Sequence, residues 1–178
     1  LRLDELTKST TEAMDTFNTV QATRPMKEFI SDLSTWYIRR SRNRFKSDDQ
    51  NDKTFAIATT RYILLKLSKI LAPIMPFIAE DIYQKIRKSS DPESVHLENW
   101  PSDNQRPTTN DLQLLEDMEE TRRIVSLALE ARSKADIKVR QPLQKLEARI
   151  KNLEVGYIEL IKDEVNIKEV INKDIDEV

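Results

Sequence analysis

Gly156 is the only glycine in this chain of 178 residues, and its scarcity constrains the fold more than any other feature. Tight β-hairpins need residues at positive φ, which glycine supplies without steric cost. The seven prolines break helices but supply no such freedom. Turn chemistry is therefore too sparse for an all-β protein, and the pattern suits long helices. Hydrophobic residues make up 38% and charged residues 34% of the chain, which is enough for a core and argues against disorder along the whole length. With no cysteine and a lone histidine, His96, disulfides, thiolate metal sites and histidine-rich sites are excluded. No apolar run approaches the ~20 residues of a membrane span, and the first residues lack a signal-peptide pattern. A start at Leu1 suggests a piece of something longer.

Hydrophobic spacing predicts a first amphipathic helix from Leu3 to Val20, with Leu6, Ala13, Met14 and Phe17 on its apolar side. A second helix is expected to start at Pro25 and to run through Lys46, on a stripe of Met26, Phe29, Ile30, Leu33, Trp36 and Tyr37. The polar break at 47–52 then offers aspartates as caps. A third helix follows with Phe55, Ala58, Tyr62, Leu65 and Leu71. Pro73 and Pro76 end it and open a fourth through Phe77, Ile78, Ile82, Tyr83 and Ile86. Residues 94–101 read as an extended connection anchored by Val95, Leu97 and Trp100, and 102–110 as a polar linker. A fifth helix carrying Leu112, Leu115, Met118, Val125 and Leu129 is expected to complete the bundle. Beyond Ala135 the texture changes. Leu146, Ala148 and Ile150 alternate with Lys145, Glu147 and Arg149 as in a strand, helical spacing returns at Tyr157, Ile158, Ile161 and Val165, and Val170 and Ile171 suggest a second strand. The expected fold is mainly α, a bundle of four or five helices over 1–135 with a small αβ subdomain at 136–178.

Charge is distributed unevenly over this frame. Arg39, Arg40, Arg42, Arg44 and Lys46 place five cations between Trp36 and Lys46 with no acid among them, although the whole chain has a formal net charge of −2. Such a run is a local surface for a polyanion. On a regular helix Arg39, Arg42 and Lys46 point away from the apolar stripe toward phosphates, while Arg40 and Arg44 extend that stripe over the end of the bundle. The competing reading is a solvated face paired with Asp48, Asp49 and Asp52. Trp36 reads as core, and Tyr37 as a core-edge residue whose hydroxyl reaches outward. The tail at 151–178 has four lysines and eight acids, net −4, and is no general phosphate binder.

Two features look chemical and are read as inert. Lys66-Leu67-Ser68-Lys69 falls in the middle of a predicted helix with both lysines toward solvent, and His96 lies in a connector with no nucleophile and carboxylate around it. One glycine excludes a glycine-rich phosphate loop.

Four ordered blocks carry a resemblance: Asp-Leu-Ser-Thr-Trp-Tyr-Ile-Arg-Arg-Ser-Arg-Asn-Arg-Phe at 32–45, Leu-Ala-Pro-Ile-Met-Pro-Phe-Ile-Ala-Glu-Asp-Ile-Tyr at 71–83, Ser-Val-His-Leu-Glu-Asn-Trp-Pro at 94–101 and Lys-Val-Arg-Gln-Pro-Leu at 138–143. Together they resemble the carboxy-terminal anticodon-binding region of isoleucyl-tRNA synthetases, which belong to the class Ia aminoacyl-tRNA synthetases. The second and third blocks are similar to valyl and leucyl relatives too, and the first discriminates. Where many relatives have a tryptophan after Arg-Phe, this chain has Lys46. The resemblance implies the tRNA-gripping part of a cytoplasmic ligase that joins isoleucine to its tRNA, inactive alone and free of cofactor, with ATP and magnesium belonging to the full-length enzyme. Implied partners are tRNA(Ile) and the remaining domains of the same chain, with no membrane and no DNA. The implied tRNA contacts are Tyr37, Arg39, Arg40, Arg42, Arg44 and Lys46. Lys138 and Arg140 join them beside the anticodon stem, although Arg140 competes with a turn-shaping role and Lys134 with a helix-capping one. Arg122, Arg123 and Arg132 are not placed. A helical protein-interaction module and the same region of a valyl-type synthetase are the alternatives.

Overall fold

The computed structural model describes residues 1–102, 108–150 and 153–173 and divides into two compact units, Leu1–Gln105 and Arg106–Val178. The first unit is all helical: α1 (Arg2–Asp15), α2 (Thr19–Asp32), α3 (Arg42–Phe45), α4 (Gln50–Leu71) and α5 (Pro76–Ile86). The second holds α6 (Thr109–Lys134), β1 (Leu143–Ala148), α7 (Val155–Val165) and β2 (Ile167–Asn172). The mainly helical fold with a small αβ part is as the sequence indicates. The division falls at 105/106, however, and α6 belongs with the strands instead of completing the first bundle.

Leu3 and Leu6 of α1, Met26 and Phe29 of α2, Leu67, Ile70 and Leu71 of α4, and Ala79 and Tyr83 of α5 form the core of the first unit, closed by Val95. The expected first helix stops early. Phe17 turns to φ 57°, Asn18 caps α2 by accepting the Gln21 N–H at 3.1 Å, and Phe17 and Val20 are left exposed. Pro25 thus lies inside α2, where it withholds a hydrogen bond from the carbonyl of Gln21, an exposed residue that water can serve. Asp49 caps α4 as expected, accepting from the Asn51 and Asp52 amides at 2.9 and 3.3 Å.

The buried faces of α4 and α5 differ from the expected ones. Phe55 is 68% and Phe77 92% exposed, and Tyr62 and Ile78 are exposed as well. Both helices are apolar on more than one side, so the spacing admits two stripes, and packing selects Leu67, Ile70 and Leu71 on α4 and Ala79 and Tyr83 on α5. The supposed connector at 94–101 forms one turn of 3₁₀-helix at Val95–Leu97 that buries Val95 and exposes Leu97. Trp100 is tied to α1 by its indole N–H, which donates to Thr11 Oγ1 at 2.9 Å.

Buried polar partners hold this segment on the bundle. Lys69 Nζ lies 2.8 Å from Glu98 Oε2, and the Tyr83 hydroxyl sits 2.9 Å from both Glu98 Oε1 and the Pro92 carbonyl. Burial, with Glu98 beside it, pushes the Tyr83 hydroxyl up to about 12. The hydrogen bond from Lys69 holds the Glu98 carboxyl below its ordinary 4.5, against burial and with help from Tyr83. A carboxyl lowered on folding stabilises the fold above its unfolded value and loses that contribution as pH falls through the lower folded value. The unfolding free energy of the first unit is therefore expected to drop as pH falls below 4.5. Urea titrations at several pH values should find a smaller drop in Glu98→Gln.

In the second unit β1 and β2 pair in parallel, with Leu143 opposite Ile167 and Leu146 opposite Val170, and α7 makes the crossover. Ile161 and Val165 of α7 and Ile124, Val125 and Ala128 of α6 are buried. Thr108 and Asp111 form a reciprocal capping box at the start of α6.

Candidate nucleic-acid interface

The basic run does not lie on one regular helix. Between α2 and α3, residues Leu33–Ile38 form a wide π turn in which the Arg39 N–H reaches back five residues to the Ser34 carbonyl. Local side chains favour it: Thr35 Oγ1 donates to the Ser31 carbonyl at 2.7 Å, and Arg39 Nε takes the Thr35 carbonyl at 2.8 Å. A short break at the buried Ser41 then leads into α3. The extra residue shifts the helical phase, so an unbroken 100° wheel misplaces the side chains after Ile38.

Arg39, Arg40, Arg42 and Lys46 are all exposed. Arg40, expected over the end of the bundle, is turned outward by the altered phase. Neither Arg42 nor Lys46 has a side-chain hydrogen bond or ion pair among the described residues. Arg44 is half-buried, and its Nε and Nη2 lie 2.8 and 2.7 Å from Asp52 Oδ1 in the first turn of α4. Their hydrogen bond raises the Arg44 guanidinium and holds the Asp52 carboxyl below its ordinary value. The competing reading of a paired face thus holds at Arg44. Tyr37 is half-buried and its hydroxyl points to the Ala56 carbonyl at 3.4 Å, one turn along α4 from Asp52. Trp36 is half-buried, not in the core cluster.

Lys138 and Arg140 are exposed on a turn of the second unit, where the Gln141 N–H donates to the Lys138 carbonyl at 2.9 Å. Arg132 builds that turn. It is 4% exposed and donates through Nη1 to the carbonyls of Lys138 and Gln141, at 3.2 and 3.0 Å, and through Nη2 to that of Asn166 at 2.9 Å. Asn166, at φ 55°, completes the brace by donating Nδ2 to the Val139 carbonyl at 2.8 Å. Sequence reasoning leaves Arg132 unplaced among surface cations. Its only sequence signal is a position in the last turn of α6, where a cation complements the helix dipole. Lys134 pairs with Glu130 at 2.7 Å and Arg123 with Glu120 at 2.7 Å.

Lys66 and Lys69, expected toward solvent, are ion-paired to Asp4 at 2.6 Å and Glu98 at 2.8 Å, with side chains only 11% and 21% exposed. Each ties α4 to another segment of the first unit. His96 is exposed on the 3₁₀ turn, and its backbone N–H donates to Ser94 Oγ at 3.2 Å. Among the described residues no cluster of three or more histidine or carboxylate side chains is placed to hold a metal ion. Gly156 lies within α7 and so builds no glycine-rich loop.

The first unit thus carries exposed cations along one bent segment, and the second carries exposed Lys138 and Arg140 on a turn of its own. Residues 1–148 match the model of a known family, and the chain belongs to it: the anticodon-binding domain of tRNA ligases. Over 174 residues it is 38% identical to the isoleucine–tRNA ligase of Clostridium tetani, covering 96% of this chain and 17% of that protein. It is 41% identical over 173 residues to the isoleucine–tRNA ligase of Chlamydia muridarum, covering 94% and 16%. The corresponding ligase of Treponema denticola is 38% identical over 174 residues. The chain thus spans about a sixth of the length of these relatives. These matches support the isoleucyl reading over the valyl and protein-module alternatives. No described helix is long and apolar enough to cross a membrane.

Proposed function

We propose that this chain grips the anticodon stem and loop of tRNA(Ile) as one part of a cytoplasmic ligase that attaches isoleucine to that tRNA with ATP and magnesium held elsewhere in the enzyme. The observation that carries the reading is the exposed, largely acid-free segment from Arg39 to Lys46 on a chain of this family. Arg39, Arg40, Arg42 and Lys46 neutralise backbone phosphates and fix the loop, and Lys138 and Arg140 contact the stem. Arg44 and Tyr37, at the foot of α4, stand nearest the unstacked bases. Splayed loop bases expose edges and faces that a protein can read, whereas an A-form stem offers mainly backbone and shape. The chain supplies binding and orientation only, and the chemistry belongs to the rest of the ligase.

The test is a salt titration of binding to tRNA(Ile) and to the same tRNA with its anticodon exchanged. At about 0.7–0.9 logarithmic units of slope per phosphate contact, the six cations named should lower the affinity roughly 300- to 2000-fold between about 50 and 200 mM salt. tRNA(Ile) should bind more tightly than the exchanged form throughout. Equal binding of the two, or binding indifferent to salt, would sink the proposal, and capture of acidic protein instead would favour an interaction module.

A further inference from the structure

Arg44 is held against α4 by Asp52. Nε and Nη2 of its guanidinium both lie on one oxygen of Asp52, at 2.8 and 2.7 Å, while Nη1 has no partner among the described residues. Two donors on one acceptor fix the guanidinium plane, as a single long contact does not. The carboxylate comes from α4, whose first turn is itself fixed by the Asp49 cap. Ala56, whose carbonyl receives the Tyr37 hydroxyl, stands one helical turn from Asp52, so Tyr37 and Arg44 rest on successive turns of the same face of α4. That face is a jig for two side chains that the π turn and α3 deliver to it.

Holding Arg44 has an electrostatic consequence. A neutral pair attracts a polyanion less than a bare guanidinium, yet it leaves a directed donor edge. Diffuse attraction serves every RNA alike, and only directed contacts tell one loop from another. We propose that Asp52 is a positioning residue that aims Arg44 at the anticodon loop, setting discrimination between tRNAs at the expense of overall affinity. This role rests on the tRNA-binding function proposed for the chain.

The test compares the unaltered chain with Asp52→Ala, Asp52→Asn and Asp52→Glu for binding to tRNA(Ile) and its anticodon-exchanged form across salt, with circular dichroism verifying the helical content of each variant. In Asp52→Ala the exchanged tRNA should bind up to about 5-fold more tightly, with a slope steeper by about one contact, while the affinity ratio between the two tRNAs falls at least about 5-fold. Asp52→Asn keeps an acceptor oxygen without the charge, so its slope should steepen while it retains more of the ratio. Asp52→Glu should restore the ratio in part. A purely structural Asp52 would weaken both tRNAs equally without steepening the slope, and that result, or an unchanged ratio in Asp52→Ala, overturns the proposal. If the unaltered chain fails to distinguish the two tRNAs, the tRNA reading itself fails and this inference with it. If the unaltered chain distinguishes them and Asp52→Ala does so equally well, only the role of Asp52 is lost.

Discussion

Replacing Arg39, Arg42 and Lys46 together by alanine is expected to lower the affinity for tRNA(Ile) roughly 10²-fold at about 0.1 M salt and to flatten the salt slope by about two to three units. The three side chains are exposed, and none belongs to the core of the first unit. Truncation removes charge and, at Arg39, one exposed hydrogen bond to the Thr35 carbonyl, so stability to thermal unfolding should shift by about 1 kcal/mol or less. The size of the effect comes from counterion release, since each lost phosphate contact leaves condensed cations on the RNA. The loss should be similar for tRNA(Ile) and its anticodon-exchanged form, because these cations meet the backbone. Binding measured across salt for both RNAs gives affinity, slope and ratio together. An unchanged slope would mean that the RNA meets some other face of the chain.

Arg132→Ala should damage the second unit instead, by about 2–4 kcal/mol, the order expected when hydrogen bonds from a buried charged donor are lost and a void is left, even though its Nε has no partner in the described residues. In the native fold the guanidinium is compensated by three carbonyl dipoles and by the negative end of α6, with no carboxylate among its hydrogen-bond partners in the described residues. Alanine takes the guanidinium donor from the Gln141 carbonyl, leaves those of Lys138 and Asn166 with only the backbone N–H groups of Gln141 and Leu143, and opens a void beneath the turn. A loss of this size is a large fraction of the stability of an ordinary domain, so amide exchange of β1 and β2 should accelerate strongly. Arg132→Lys keeps the charge but cannot span three carbonyls with one ammonium, and should recover less than half of the loss. Protection equal to that of the unaltered chain would show that the turn at 138–141 stands without its brace. Lys138 and Arg140 ride on that turn, so Arg132 governs their placement without touching solvent itself.

The basic segment was legible because it is a matter of composition: five cations without an acid need no tertiary knowledge to be seen. The Asp49 cap was legible for a similar reason, since an aspartate before an apolar run offers its oxygen to amides two and three residues ahead. The βαβ part could be read from the change between period 2 and period 3.6 around Leu146 and Ile161. Direction was less legible. The π turn at Leu33–Ile38 arises from competition between side-chain and backbone hydrogen bonds over a few residues, and once present it rotates everything after it. Arg40 was misplaced for that reason alone.

What depends on neighbours along the chain could be read without the tertiary structure: helix class, the aspartate cap of α4, the strand–helix–strand alternation and the local charge at Arg39–Lys46. Which stripe of α4 and α5 is buried was left to the tertiary structure, because helices apolar on several sides offer more than one face and the packed volume chooses between them. The same holds for the pairing of Arg44 with Asp52, eight residues on across a chain reversal, and of Lys66 with Asp4, which are joined only when α4 returns along α1. Arg132 is the clearest case. Nothing adjacent to it in sequence demands burial, and its three carbonyl partners converge only once α6, the turn at 138–141 and the end of α7 have packed together.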